Sequence, residues 1–268
     1  MKAGLATIAL RQLDVFEAVD LAAEAGFDGV EIWGRAPHTP DVFDEKHTLA
    51  IRERVLGHGM EAAILGSYVN SAAADFQERA LTAIRVAGTL GSGIIRVWAG
   101  DKEPAAATDE DWTKSAANLK WMADRAADKG VTLAMEMHGG TLALSPEGTL
   151  RLVELARAGN LKLNYQVNDP GSADLERSVR LVGPHVVMVH AQNCVRSPEG
   201  NPHPWERSLI QDGLVDYARL LKLLRPYGFD GYVEVEFLKG DPDKDGMIEA
   251  MRKDAAFLRK ITVEASEQ

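Results

Sequence analysis

Apolar residues fall along this chain in short continuous runs, and the longer stretches between them repeat apolar positions every three to four residues. The runs predict strands near 3–9, 29–33, 60–65, 93–99, 131–137, 161–167, 185–190 and 231–237. Strands alternating with amphipathic helices are the βαβα order of a parallel sheet. Several helix ends are legible. Asp14 caps a helix that closes at Gly26, Ser71 one that closes near Gly91, and Thr108, followed by Asp109, Glu110 and Asp111, one that closes at Gly130. Ser145-Pro146-Glu147 opens another, and the last two helices are predicted near 213–226 and 245–264. The segments GFDGVE (Gly26 to Glu31) and GFDGYVE (Gly228 to Glu234) repeat one joint, in which a glycine ends a helix, a Phe packs and an Asp-Gly turn launches a strand. Eight such units, with neither a GxGxxG nor a GxxxxGK[ST] loop, predict a (β/α)8 barrel formed by one domain spanning 1–268 rather than a doubly wound sheet.

The sixth strand departs from the apolar habit. Leu161, Leu163, Tyr165 and Val167 alternate with Lys162, Asn164, Gln166 and Asn168 before an Asp-Pro-Gly turn. An amide row turned into a closed barrel requires polar company. That company is available at the C-terminal strand ends, where such barrels carry their functional groups. Strand five ends in Glu136 and His138, strand six in Gln166, strand seven in His190 and strand eight in Glu236. Two carboxylates, an imidazole and an amide on four consecutive strands are donors for Mn²⁺, Mg²⁺ or Co²⁺ rather than for a thiolate-preferring metal. Trp33 and Trp98, at the ends of strands two and four, offer an apolar wall to sugar C–H groups and serve equally well as rim packing. His38, His47, His58 and His185 fall in loops, a helix or a strand start and take no role. The loop from Cys194 to Asp212, with Pro198, Pro202, His203, Pro204 and Trp205, reads as a lid or subunit contact, or as an insertion with no catalytic role.

Composition narrows the setting. A net charge of -10 and a pI near 5.2 oppose a phosphate backbone, so no nucleic-acid partner is expected. Cys194 is the single cysteine, so no intrachain disulfide forms, which suits a reducing cytoplasm. The apolar run from Ala3 to Leu10 is too short for a secretion signal, and no run approaches a membrane span. The expected location is cytoplasmic.

These residues resemble the xylose-isomerase-like TIM barrels, the sugar isomerases and epimerases that share their barrel with AP endonucleases. The similarity runs from Met1-Lys2-Ala3-Gly4-Leu5 to Gly231-Tyr232-Val233-Glu234-Val235-Glu236. Leu133-Ala134-Met135-Glu136-Met137-His138-Gly139 looks like the family's Glu-x-His motif, in which the Glu binds metal and the His contacts substrate. His190 and Asn193 resemble a His-x-x-Asp motif with its acid replaced, and Arg196 stands where ketose epimerases place a substrate-binding arginine. Glu236 matches the last metal ligand, whereas Glu234 stands where a small or neutral residue is usual. Strand six normally ends in a metal-binding Asp; Gln166 matches it here, with Asn168 the alternative on the same face.

The resemblance implies a divalent ion, Mn²⁺ foremost and Mg²⁺ or Co²⁺ as alternatives, held by Glu136, Gln166, His190 and Glu236. It implies a carbohydrate contacted by His138, Arg196, Trp33 and Trp98. Glu136 and Glu236 would move protons through an enediolate, giving ketose isomerisation or epimerisation. Elimination from the same intermediate would instead make a lyase acting on a keto-sugar or keto-inositol. Gln166 in place of an acid leaves a third reading, a barrel that binds a sugar or a partner subunit without turnover. The AP endonuclease branch is disfavoured, because its trinuclear zinc site needs several more histidines and the acidic surface opposes DNA. The expected assembly is a dimer or tetramer of this chain.

Overall fold

The apolar runs become strands buried on both sides, which is why they carry so few polar residues. A computed structural model describes residues 1–199, 201–239 and 244–267. Its strands are β1 (Lys2–Ala6), β2 (Gly29–Trp33), β3 (Glu61–Asn70), β4 (Ile94–Trp98), β5 (Thr132–Glu136), β6 (Leu161–Tyr165), β7 (Val186–Ala191), β8 (Asn193–Arg196), β9 (Trp205–Ser208) and β10 (Tyr232–Val235). Its helices are α1 (Val15–Ala25), α2 (Glu45–Gly57), α3 (Phe76–Leu90), α4 (Asp109–Ala127), α5 (Pro146–Ala156), α6 (Leu175–Val182), α7 (Tyr217–Leu224) and α8 (Lys244–Glu267). Eight strands close in the order β1-β10-β7-β6-β5-β4-β3-β2, every neighbouring pair parallel, with helices between them. The molecule is a single-domain (β/α)8 barrel, as the strand and helix pattern predicts.

Alternation divides each strand between two environments. Leu5, Val30, Ile95, Leu133, Leu163, Val189 and Val233 belong to the main apolar core with helix residues such as Val19, Ile84, Leu119, Leu152 and Leu258. A separate small cluster of Ile64, Ala134, Met188 and Tyr232 fills part of the interior. Ala134, Met188 and Tyr232 each lie two residues before Glu136, His190 and Glu234, so this apolar layer lies directly beneath a charged one.

Asp14 accepts from the Phe16 and Glu17 amides, Thr108 and Asp111 form a reciprocal cap on α4, and Ser145 accepts from Gly148, as expected. Ser71 behaves differently. β3 runs on to Asn70 through a register shift against β4, so α3 starts only after Asp75, and Ser71 is buried against the Ser115 hydroxyl. The loop from Cys194 contains an antiparallel hairpin, β8 with β9, whose short strands lie among turn-forming prolines. Asn193 anchors this hairpin: its Nδ2 donates to the Ile210 and Val215 carbonyls and its Oδ1 accepts from Val215 N. The side chain that resembled a replaced acid ligand is therefore turned to the loop. No helix among the described residues is long and apolar enough to cross a membrane.

Asp254 on α8 accepts from Ile210 N at 2.8 Å, while its Oδ2 has no partner among the described residues. Burial, opposed by the Ile210 N–H and reinforced by Asp212, pushes its carboxyl up to about 7. A folded-state value above the unfolded one gives stability that is fully present below about pH 4 and lost as pH rises through 7. Asp254→Asn is expected to flatten the urea midpoint between about pH 5 and pH 8, and to lead wild type by on the order of 2 kcal/mol at the upper end. Parallel pH profiles for the two proteins would refute this.

Candidate active site

The interior layer above the small apolar cluster is ionic. β2 contributes Glu31, β4 Arg96, β5 Glu136, β7 His190 and β10 Glu234, with Glu236 and Gln166 just past the ends of β10 and β6. All are buried, and Glu236, at 7% exposure, is the most accessible of them. Two groups have ligand atoms close enough to share an ion: Glu136, His190 and Glu236, and below them Glu31, His190 and Glu234, each set lying within 4.8 Å. The first contains three of the residues expected from the sequence; Glu31 and Arg96 are members of the cluster beyond those.

Arg96 Nη1 donates to Glu136 Oε2 at 2.7 Å, and its Nε lies 3.4 Å from Glu31 Oε1. His190 places Nε2 3.1 Å from Glu31 Oε2 and Nδ1 3.2 Å from Glu136 Oε1 and 3.5 Å from Glu236 Oε1. Burial alone would raise Glu136, but Arg96 and then His190 outweigh it and hold the carboxyl at about 2. Burial alone would lower His190, yet Glu31, Glu236 and Glu136 push it well above the ordinary histidine value. Glu234 has neither oxygen hydrogen-bonded among the described residues, and burial together with Glu31 raises it well above the carboxylate range.

Gln166 and Asn168 separate cleanly. Gln166 is buried in the cluster, while Asn168 is exposed and donates to the Leu144 carbonyl. With donors set against acceptors, Gln166 Nε2 donates to Glu136 Oε1 and Glu236 Oε2, both at 3.2 Å, and its Oε1 accepts from Gln192 Nε2 at 3.3 Å. In this arrangement the uncharged amide bridges the two carboxylates by donating to both, and ligating a cation through its oxygen requires the amide to turn over. Asn164, deeper in the same row, accepts from His190 N. Of the amide row, Asn164 and Gln166 are barrel interior and Asn168 is not.

Around the rim, His138 stacks on Trp98 with ring centroids 4.5 Å apart, Trp98 approaches Tyr68 at 5.7 Å, and Trp33 Nε1 donates to the Tyr68 hydroxyl. Tyr68 joins the two expected tryptophans into one aromatic wall, a role hidden in the sequence by the irregular end of β3. Arg196 is not brought to the cluster; it is exposed and faces Trp205 across the hairpin. Arg207, also exposed, lies over Phe237 at 3.7 Å and donates to Gln192 Oε1. Two cavities flank the acids without containing them. One of about 330 Å³ lies beside Gln166 and Asp169, and one of about 760 Å³ lies beside Arg35, Tyr68 and Arg79. His38 is structural, bonded to Thr7 Oγ1 and to the Leu13 carbonyl.

The donor set fits a hard divalent cation. Four buried glutamates, one of them pushed toward its neutral form, share one guanidinium and one imidazole, and the ligand atoms that converge are oxygen and nitrogen. The family described as xylose isomerase-like TIM barrel matches residues 19–261. The chain belongs to that family. A 3-dehydroshikimate dehydratase of Bacillus anthracis is 27% identical over 203 residues, 72% of each chain. A xylose isomerase-like TIM barrel protein from Mycobacterium smegmatis, solved in complex with magnesium, superposes with a TM-score of 0.77 at 13% identity, covering 98% of this chain and 97% of that one. D-psicose 3-epimerase of Clostridium cellulolyticum H10, solved with D-tagatose, gives 0.73 at 15% identity over 98% and 99%. These relatives thus include a dehydratase and an epimerase.

Proposed function

We propose that this chain is a divalent-metal-dependent enzyme that removes a proton from the carbon next to a carbonyl in a polyhydroxylated substrate and returns it, as a ketose isomerase or epimerase. The observation that carries the reading is the convergence of Glu136, His190 and Glu236 on one buried point. A divalent ion there, Mn²⁺ foremost, held by Glu136, His190 and Glu236 with Gln166 beside them, would supply positive charge for the oxygen that becomes negative as the proton leaves. Glu236 is the more accessible carboxylate and has no arginine salt bridge among the described residues, so it suits the base. Arg96 keeps Glu136 ionised, which suits a ligand. Trp98 Nε1, buried without a partner among the described residues, is available to a substrate oxygen, and His138 and Trp33 complete that side of the site.

The same asymmetry favours a second reading, dehydration. Elimination needs one base and a departing hydroxyl, whereas two-carboxylate epimerisation needs Glu136 to carry a proton that Arg96 opposes. The dehydratase among its relatives points the same way. The purified protein should bind about one Mn²⁺ per chain and, with a responsive ketose or keto-acid from a panel, exchange a C–H proton in deuterated water. Mass spectrometry of the product then decides, since dehydration removes a water and isomerisation leaves the formula unchanged. Absence of metal binding would refute both readings.

Gln166→Asp is expected to tighten Mn²⁺ binding by roughly tenfold, because it replaces an amide with a charged hard donor. Calorimetric titration checks this, and unchanged or weaker binding would show that Gln166 lies outside the coordination sphere.

A further inference from the structure

We infer that Glu31 is the positioning residue of the metal centre: it fixes the orientation of the His190 ring and thereby sets the affinity for the divalent ion. The inference rests on the metal-dependent reading proposed above. Four buried ionic side chains close a ring. Glu31 Oε2 meets His190 Nε2 at 3.1 Å, His190 Nδ1 meets Glu136 Oε1 at 3.2 Å, Glu136 Oε2 meets Arg96 Nη1 at 2.7 Å, and Arg96 Nε returns to Glu31 Oε1 at 3.4 Å. His190 and Glu136 present their other side to Glu236; Glu31 and Arg96 stand behind them.

An imidazole whose one nitrogen donates to a carboxylate directs the lone pair of the other toward a cation. With Nε2 facing Glu31, Nδ1 is the nitrogen directed at Glu136 and Glu236. Glu31 is itself held in place. Arg96 Nε lies within ion-pair distance of one of its oxygens, and Gly66 on β3 has no β-carbon where one would collide with Glu31 Oε1. A second cation in the deeper group of Glu31, His190 and Glu234 fits less well, because Arg96 already brings positive charge to Glu31 and His190 would have to give up both ring protons.

The test is calorimetric titration of Mn²⁺ into wild type, Glu31→Gln and Gly66→Ala proteins, with nitrogen-15 NMR of the histidine rings in the Mg²⁺-loaded state. Glu31→Gln should bind Mn²⁺ on the order of 10- to 100-fold more weakly. Gly66→Ala, which displaces Glu31 without removing its charge, should weaken binding in the same direction and covers the case in which Glu31→Gln does not fold. In wild type His190 should carry its proton on Nε2. Binding by both folded variants within about twofold of wild type, or a proton on Nδ1 in the loaded protein, would overturn the inference. A wild type that binds no Mn²⁺ overturns the metal-dependent reading itself, so the wild-type titration distinguishes the two failures.

Discussion

Glu136→Gln and Glu236→Gln are each expected to lower proton exchange by about a thousandfold or more, and for different reasons. Glutamine keeps the shape of either side chain and removes its charge. At position 136 the loss falls on binding, because Arg96 donates to Glu136 Oε2 and the carboxyl is held at about 2, a value that makes it a poor base and a permanent anion. Mn²⁺ affinity should therefore fall sharply in Glu136→Gln, and saturating metal should restore part of the rate. At position 236 the loss falls on proton transfer, so Glu236→Gln should keep measurable metal binding while exchange stays lost at saturating Mn²⁺. Deuterium incorporation followed by NMR across a metal titration separates the two. A Glu236→Gln protein that regains activity with added metal would reassign the base.

The site was legible in the sequence where a polar residue ended a strand, and illegible where it lay inside one. Glu136, Gln166, His190 and Glu236 stand at C-terminal strand ends, so barrel topology and alternation place them on a common face. Glu31 and Arg96 sit in GVEIW and IIRVW, where one charge in an apolar run reads as an interruption. A signal was nevertheless present. Glu31 lies two residues before Trp33, Arg96 two before Trp98 and Glu234 two before Glu236, the same spacing as Glu136 and His138. The repeated GFDG joint also delivers both Glu31 and Glu234 to the interior. The hairpin was less accessible. Whether Arg196 or Arg207 meets Gln192 and Phe237 depends on the pairing of Cys194 with Arg207 and of Arg196 with Trp205, a register set by a turn rather than by apolar alternation.

Arg96→Leu is expected to be the most destabilising single change in the barrel interior. Arg96 is fully buried; desolvation alone would lower its pKa, but Glu136 and Glu31 keep it above the ordinary arginine value, so it remains a cation between two acids. Removing it leaves Glu31 and Glu136 with only His190 for positive charge, and breaking a buried pair from one side costs about 3–5 kcal/mol. For a chain of this length that corresponds to a fall in melting temperature of roughly 10 °C. Arg96→Lys should recover only part of the loss, since one ammonium cannot span both carboxylates as the planar guanidinium does. Mn²⁺ should stabilise Arg96→Leu more than it stabilises wild type, because the ion then supplies charge that the variant lacks. Calorimetric scans of the three proteins with and without Mn²⁺ test this. Equal melting temperatures without metal would mean that Glu31 and Glu136 both take up protons in the folded chain, and that the interior is held by neutral hydrogen bonds instead of a charged ring.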